Sequence, residues 1–259
     1  MQRLALPSGA NLTPDDCYAI DVVPQLCGEG GILFGGWAMA VMVEQAWSGR
    51  RVRTLATSFV APVRVGDELR ITVTPLRSGR QLAHCRIDGR VGGTLVLSAA
   101  AVVGPPAARP PRCWTSAPDA PPPELCPERT YRSRTPDSAA GLLDVRLAAP
   151  EPRPDAGGRA LLWARLLAPV SPEASLALLS DHVPYLVVRS VPDVKHATSV
   201  SASVRITGAA STPWTLLDVE LASADGTFCV GVLRQWSHDG SLVATADQTV
   251  RTAFAATAL

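Results

Sequence analysis

The chain has 259 residues, 47% of them hydrophobic, and a formal net charge of +1. That is enough for one large domain or two modest ones around a substantial core. The near-neutral balance, with no block of lysine or arginine, argues against nucleic acid or an anionic membrane surface as partner.

No run approaches the roughly 18 apolar residues of a membrane span, and the N-terminal stretch lacks a secretory apolar segment. A cytoplasmic protein is expected. The six cysteines form no CxxC pair and no zinc-ligand spacing, so they are expected to be reduced, small apolar residues, with no metal and no cofactor implied.

In chain order, residues 18–23 form a short strand candidate, followed by the glycine-rich loop at 27–31. Phe34-Gly35-Gly36 then leads into WAMAVMVEQAW at 37–47, a run without internal glycine or proline that reads as a helix. It is apolar nearly all round, which places it against a sheet that wraps it. Paired glycines at its start let another backbone or a ligand come close. Strand patterns follow at 54–63, 68–76, 81–88 and 94–103, separated by turn signals. Residues 105–127 hold nine prolines and read as an extended linker.

The second half repeats the plan. Residues 159–167 read as a strand, and Ser171-Pro172 as the cap and first position of a helix from 173 to about 187, with Pro184 as a kink or early stop. Strands are expected at 196–207, 214–223, 227–237 and 241–252, with Asp225-Gly226 and Asp239-Gly240 as hairpin signals. Aligning the two helices sets Glu44 opposite Asp181, each an acid in an apolar helix.

Internal repetition supports this division. Residues 56–65 (ATSFVAPVRV) match 197–206 (ATSVSASVRI) at six of ten positions, and 93–103 (GTLVLSAAAVV) resembles 240–250 (GSLVATADQTV) in the same order. Two collinear pairs point to a duplicated half-domain. Ala100-Ala101 in the first copy becomes Asp247-Gln248 in the second. That polar pair is a candidate for chemistry, or else a strand end facing water.

These features resemble the acyl-CoA thioesterase II family over nearly the whole chain. The resemblance is carried by Phe34-Gly35-Gly36, Ser58-Phe59-Val60-Ala61-Pro62, Leu76-Arg77-Ser78-Gly79-Arg80, Ser180-Asp181, the strand start Ala197-Thr198, and Asp239-Gly240-Ser241-Leu242-Val243-Ala244 leading to Gln248. It implies an α+β double hot-dog fold: two tandem helix-wrapped antiparallel repeats, at 1–104 and 128–259, in one continuous sheet and joined by the 105–127 linker. It also implies an acyl-CoA substrate, a role in lipid metabolism and a homo-oligomer.

Residue by residue, the family's catalytic aspartate, hydroxyl and glutamine correspond to Asp181, Thr198 and Gln248. The expected chemistry is hydrolysis by a water that these three bind together, with Asp181 as general base and the backbone of Gly35 and Gly36 holding the oxyanion. Arg77 and Arg80 are candidates for the phosphates of coenzyme A, or else solvated hairpin arginines. Trp37 shapes the acyl tunnel or belongs to the core. His182 adjoins Asp181, but adjacent helix residues point apart. Two alternatives share the fold: a hydratase or dehydratase, for which no D-x4-H run is found, and a non-catalytic acyl-CoA or acyl-carrier binding protein.

Overall fold

The structure, a computed structural model, describes residues 17–46, 50–106, 112–130, 137–154, 157–208 and 212–254. The outer limits of the two expected repeats, residues 1 and 259, lie outside the described residues, as does Trp47. The first half comprises β1 (Cys17–Asp21), α1 (Gly35–Gln45), β2 (Arg51–Phe59), β3 (Glu68–Ser78), β4 (Ala83–Val91) and β5 (Thr94–Gly104). The second comprises β6 (Leu143–Leu147), β7 (Arg159–Leu166), α2 (Pro172–Leu179), α3 (Val183–Ser190), β8 (Val194–Ile206), β9 (Thr215–Ala224), β10 (Phe228–Ser237) and β11 (Leu242–Phe254). The short edge strand β6 is an element the sequence reading does not include.

All the strands join one 11-stranded sheet in the order β1-β3-β4-β5-β2-β8-β11-β10-β9-β7-β6. Outward from its centre, the order β2-β5-β4-β3-β1 on one side mirrors β8-β11-β10-β9-β7 on the other. The duplication is therefore visible in the topology. The halves join where β2 and β8 pair antiparallel, with Leu55 opposite Val204 and Thr57 opposite Ala202. This is the continuous double hot-dog sheet that the resemblance implies.

The helices lie on one face of the sheet. In α1, every residue from Gly36 to Val43 is buried, as expected for a helix that is apolar all round and wrapped by a sheet. It packs against α2, and both belong to one core cluster drawn from the two halves. The two helices run antiparallel: Gly36, at the start of α1, meets Leu178 near the end of α2, and Glu44, near the end of α1, accepts the Ser171 N–H at 2.6 Å. Ser171 caps α2 in turn, its hydroxyl accepting the Ala174 N–H at 3.2 Å. Glu44 thus meets the start of α2 as Asp181 meets the start of α1, at the opposite end of the helix pair.

The expected helix from 173 to about 187 is two helices, α2 and α3, with Ser180, Asp181 and His182 between them. Pro184 explains the break. It has no N–H to offer the carbonyl four residues earlier, and its ring would clash there. It sits instead in the first turn of α3, where no such bond is needed.

The proline-rich linker is a strap. Ala117 and Ala120 pack on a second apolar cluster of Cys126, Trp163, Trp214, Leu216 and Trp236. This cluster covers the face of the sheet away from the helices, because Leu162 and Ala164, the neighbours of Trp163, belong to the main core. The Trp163 indole donates to the Pro121 carbonyl at 2.8 Å.

Alanine at a helix position normally stabilises by about 1 kcal/mol over glycine. At Gly36 an added Cβ would lie 2.4 Å from the Leu178 carbonyl oxygen, and overpacking of this kind costs about 1–3 kcal/mol. Gly36→Ala is therefore expected to lower stability by a net of up to about 2 kcal/mol, read as a shift in denaturation midpoint. An unchanged or higher midpoint would show that the α1–α2 contact yields freely.

Candidate active site

Asp181 sits in the break between α2 and α3 and is only 5% exposed. Three donors from three other elements meet its carboxylate. The Gly36 N–H, at the start of α1, donates to Oδ2 at 2.8 Å. The Ser199 hydroxyl, from β8, donates to Oδ1 at 3.1 Å. The Gln248 amide, from β11, also donates to Oδ1 and reaches the Ser199 oxygen at 2.8 Å. Burial pushes the Asp181 carboxyl above the ordinary aspartate range, opposed by the hydrogen bonds from Gln248, Ser199 and Gly36. The balance leaves it raised.

Missing side chains make this approach possible. A Cβ on Gly35 would lie 2.6 Å from Asp181 Oδ2 and 3.2 Å from the Phe59 ring. A Cβ on Gly231, which pairs with Gln248 across β10 and β11, would lie 2.6 Å from a Val183 methyl. Glycine at these positions lets α1 and α3 close on the site. Beneath the break, Gln235 is fully buried and donates to the Leu176 carbonyl and to the Ser180 hydroxyl, both at 2.8 Å. Ser180 passes its own proton to Leu176 O at 2.9 Å. This network fixes the turn that presents Asp181.

Asp181, Gly35 and Ser199 line a cavity of about 1100 Å³. One part of its wall is apolar, with Leu33, Phe34, Ala38, Phe59 and Leu97. Another carries Arg129, Arg189, Lys195 and Arg251. From Asp181 toward this cationic part, His182 in the break and then Tyr185 and Arg189 on α3 line the cavity. His182 is 3% exposed, and its Nδ1 lies 3.0 Å from the Leu179 carbonyl. Burial, and then the Arg129 charge, push its imidazole down to about 3, so the ring is neutral.

The candidate residues fall out as follows. Asp181 and Gln248 are brought into contact. The hydroxyl that joins them belongs to Ser199, whereas Thr198 is exposed at the cavity rim. A bulge explains the difference: Val250 pairs with Ser199 and Thr249 with Ser201, leaving Val200 as an extra residue. Counting back by twos from the buried Ile206, Val204 and Ala202 would turn Thr198 inward. The bulge turns Ser199 inward instead.

The Gly36 N–H is taken by Asp181 itself, while Gly35 faces the cavity. Trp37 is completely buried in the core and does not line the cavity. Arg77 and Arg80 do not line it either. Their hairpin lies at the start of β2, where the Arg50 guanidinium donates to Gly79 O at 2.9 Å, whereas the cavity opens at the other end of that strand. Asp247 is on the outer face, paired with Arg205 at 3.1 Å. His182 faces the cavity because residues 181 and 182 lie outside regular helix, so the divergence of adjacent helical side chains does not apply. Pro184 was the signal in the sequence for that.

A continuous antiparallel sheet backed by helices, with a buried acid at the wall of the cavity, defines a double hot-dog protein. The chain belongs to the acyl-CoA thioesterase family: residues 23–104 match its N-terminal domain and residues 105–252 its C-terminal domain. A protein assigned as a thioesterase from Novosphingobium aromaticivorans is similar at 34% identity and a TM-score of 0.82, over 95% of this chain and 99% of that one. A hot-dog protein of unknown function from Alicyclobacillus acidocaldarius superposes with a TM-score of 0.79 at 24% identity, covering 93% and 94% of the two chains. An acyl-CoA thioesterase II from Mycobacterium marinum shares the fold with a TM-score of 0.70 at 21% identity, again covering 93% and 94%. No curated protein matches the chain. Among the described residues, no helix is long and apolar enough to cross a membrane.

Because the Gln248 amide favours the charged carboxylate, Gln248→Leu is expected to move the Asp181 carboxyl further up. Carboxyl-carbon NMR titration of wild type and variant reads this directly. A downward move would show that Gln248 does not stabilise the charge.

Proposed function

We propose that the protein hydrolyses a fatty or related acyl-CoA to the free acid and coenzyme A. The observation that carries this is the Asp181 carboxylate, held by three donors at the wall of a cavity with one apolar and one cationic end. An ionised carboxylate has about four acceptor positions. Ser199 and Gln248 fill the two on Oδ1, and Gly36 fills one on Oδ2. The remaining position on Oδ2 takes the proton of the attacking water. Ser199 and Gln248 thus hold the base in place rather than the water.

The water oxygen adds to the thioester carbonyl carbon as its proton passes to Asp181. The Gly35 N–H and the positive end of α1 stabilise the oxyanion. Collapse breaks the C–S bond, and the thiolate leaves with the proton from Asp181. His182 does not serve as the base, because burial and the Arg129 charge push its imidazole down to about 3 and leave it a poor proton acceptor. Lys195 and Arg251, with Arg189, which is ion-paired to Glu151, and Arg129, which lies over the Tyr185 ring, are the cavity-lining cations that would meet the phosphates of coenzyme A. Self-association belongs to the same reading, with the outer face of β2 and β5 exposing the small residues Ala56, Ser58 and Ala100.

Thiol release from an acyl-CoA panel tests the proposal. Asp181→Asn is expected to lower turnover by about 10²–10⁴. Ser199→Ala is expected to impair it far more than Thr198→Ala. Since the base must be ionised and burial raises its pKa, the acid limb of kcat/KM should lie above the ordinary aspartate value of about 3.9. Full turnover in Asp181→Asn overturns the assignment. Absence of release from every acyl-CoA favours a binding protein.

A further inference from the structure

The cavity has a direction. Its apolar part is built by α1 and the ends of β2 and β5, through Ala38, Phe59 and Leu97. Its cationic part lies at the end of α3 and the outer ends of β8 and β11, through Arg189, Lys195 and Arg251. Asp181 stands between them. A thioester with its carbonyl at Asp181 therefore sends its acyl chain toward α1 and its thiol arm along α3. The first polar side chain of this wall after Asp181 is His182, just before α3, followed by Tyr185 and then Arg189 on the helix.

His182 is a hydrogen-bond acceptor on that path. Its Nδ1 lies 3.0 Å from the Leu179 carbonyl, an oxygen that can only accept, so in the neutral ring Nδ1 carries the proton and Nε2 does not. The edge of the ring left for the cavity thus presents a lone pair. Burial and the Arg129 charge keep it from being protonated. Tyr185, the next residue of this wall, directs its hydroxyl toward Glu151 at 3.4 Å, and the Arg129 guanidinium lies 3.7 Å over its ring. His182 is therefore the group nearest Asp181 along α3 that can receive a donor from the substrate.

The thiol arm of coenzyme A, and of an acyl carrier, has one amide N–H two methylenes from the sulfur. We propose that His182 Nε2 accepts this first pantetheine amide N–H, and so sets the position of the thioester carbonyl against Asp181. The assignment rests on the thioesterase reading above. It makes His182 a determinant of the thiol half of the substrate, common to free coenzyme A and to a carrier-bound pantetheine, and independent of acyl identity.

Two short thioesters of one acyl group test this. One is the N-acetylcysteamine thioester, which keeps the first amide. The other is its ketone analogue, in which a methylene replaces the amide N–H. An acceptor left without its donor loses roughly 10- to 100-fold, so wild type should favour the amide by about that factor in kcat/KM. In His182→Leu the preference should fall to near unity. In His182→Asn, whose side-chain carbonyl can accept, part of it should return. The ratio is taken within each protein, so a loss of folded fraction does not enter it.

Equal rates on the two thioesters in wild type, or a preference that survives in His182→Leu, overturn the proposal. Affinities for the corresponding thioethers give the same ratio without turnover. A preserved binding preference without hydrolysis of any thioester, acyl-CoA included, would count against the thioesterase reading alone.

Discussion

One buried carboxylate sets the terms for the rest of this structure. A charge removed from water is costly unless hydrogen bonds replace the solvent, and Asp181 draws its three donors from α1, β8 and β11. Each donor imposes a requirement. The Gly36 N–H is offered only if the start of α1 sits against the end of α2, which the missing side chains of Gly35 and Gly36 allow. Ser199 faces inward only through the bulge in β8. Gln248 is reached only if α3 packs on the bare backbone of Gly231. The polar support from Gln235 and Ser180 then holds the turn from below. A carboxyl of raised pKa is the outcome of burial that these donors only partly offset.

The cavity around this acid divides its chemistry between the two copies of the repeat. The first copy supplies apolar walls and a helix start. The second supplies the acid, its side-chain donors and the cations. A thioester is itself divided in this way, into an apolar acyl group and a polar, phosphate-bearing thiol arm. The internal asymmetry of the protein thus follows the asymmetry of its proposed ligand, although the sheet is nearly symmetric.

Much of this was legible in the sequence. The repeat of 56–65 in 197–206 announced the duplicated topology, and the change from Ala101 to Gln248 marked the polar residue that the second copy acquired. Asp181 stood out as an acid in an apolar run. The rest depended on features that residue patterns do not carry. Thr198 and Ser199 are both hydroxyls, and only a bulged register, set by pairing with a strand some fifty residues later, decides which faces inward. Arg77 and Arg80 form an evident basic turn, but the antiparallel ladder takes their hairpin to the far end of β2. Glu44 resembled Asp181 in its surroundings, but the antiparallel crossing of α1 and α2 separates them. Within 105–127, the described residues 112–127 hold no strand or α-helix and turn once, in a 3-10 helix at Pro123–Leu125. The prolines carried no sign of the tryptophans on the sheet that the chain would cover.

The hydrogen bond from Gly36 to Asp181 spans 145 positions of the chain and crosses from one copy of the repeat to the other. Among the described residues the first copy matches this centre only in part: Glu44 accepts the Ser171 N–H at the start of α2, but Thr57 faces the core with its hydroxyl unpaired, and alanine stands where Gln248 would be. A duplication that began as two equivalent units has thus become a single indivisible one. Neither copy, separated from the other, contains both the acid and all three of its donors. One carboxylate thus ties the two copies of the repeat into a single folded unit.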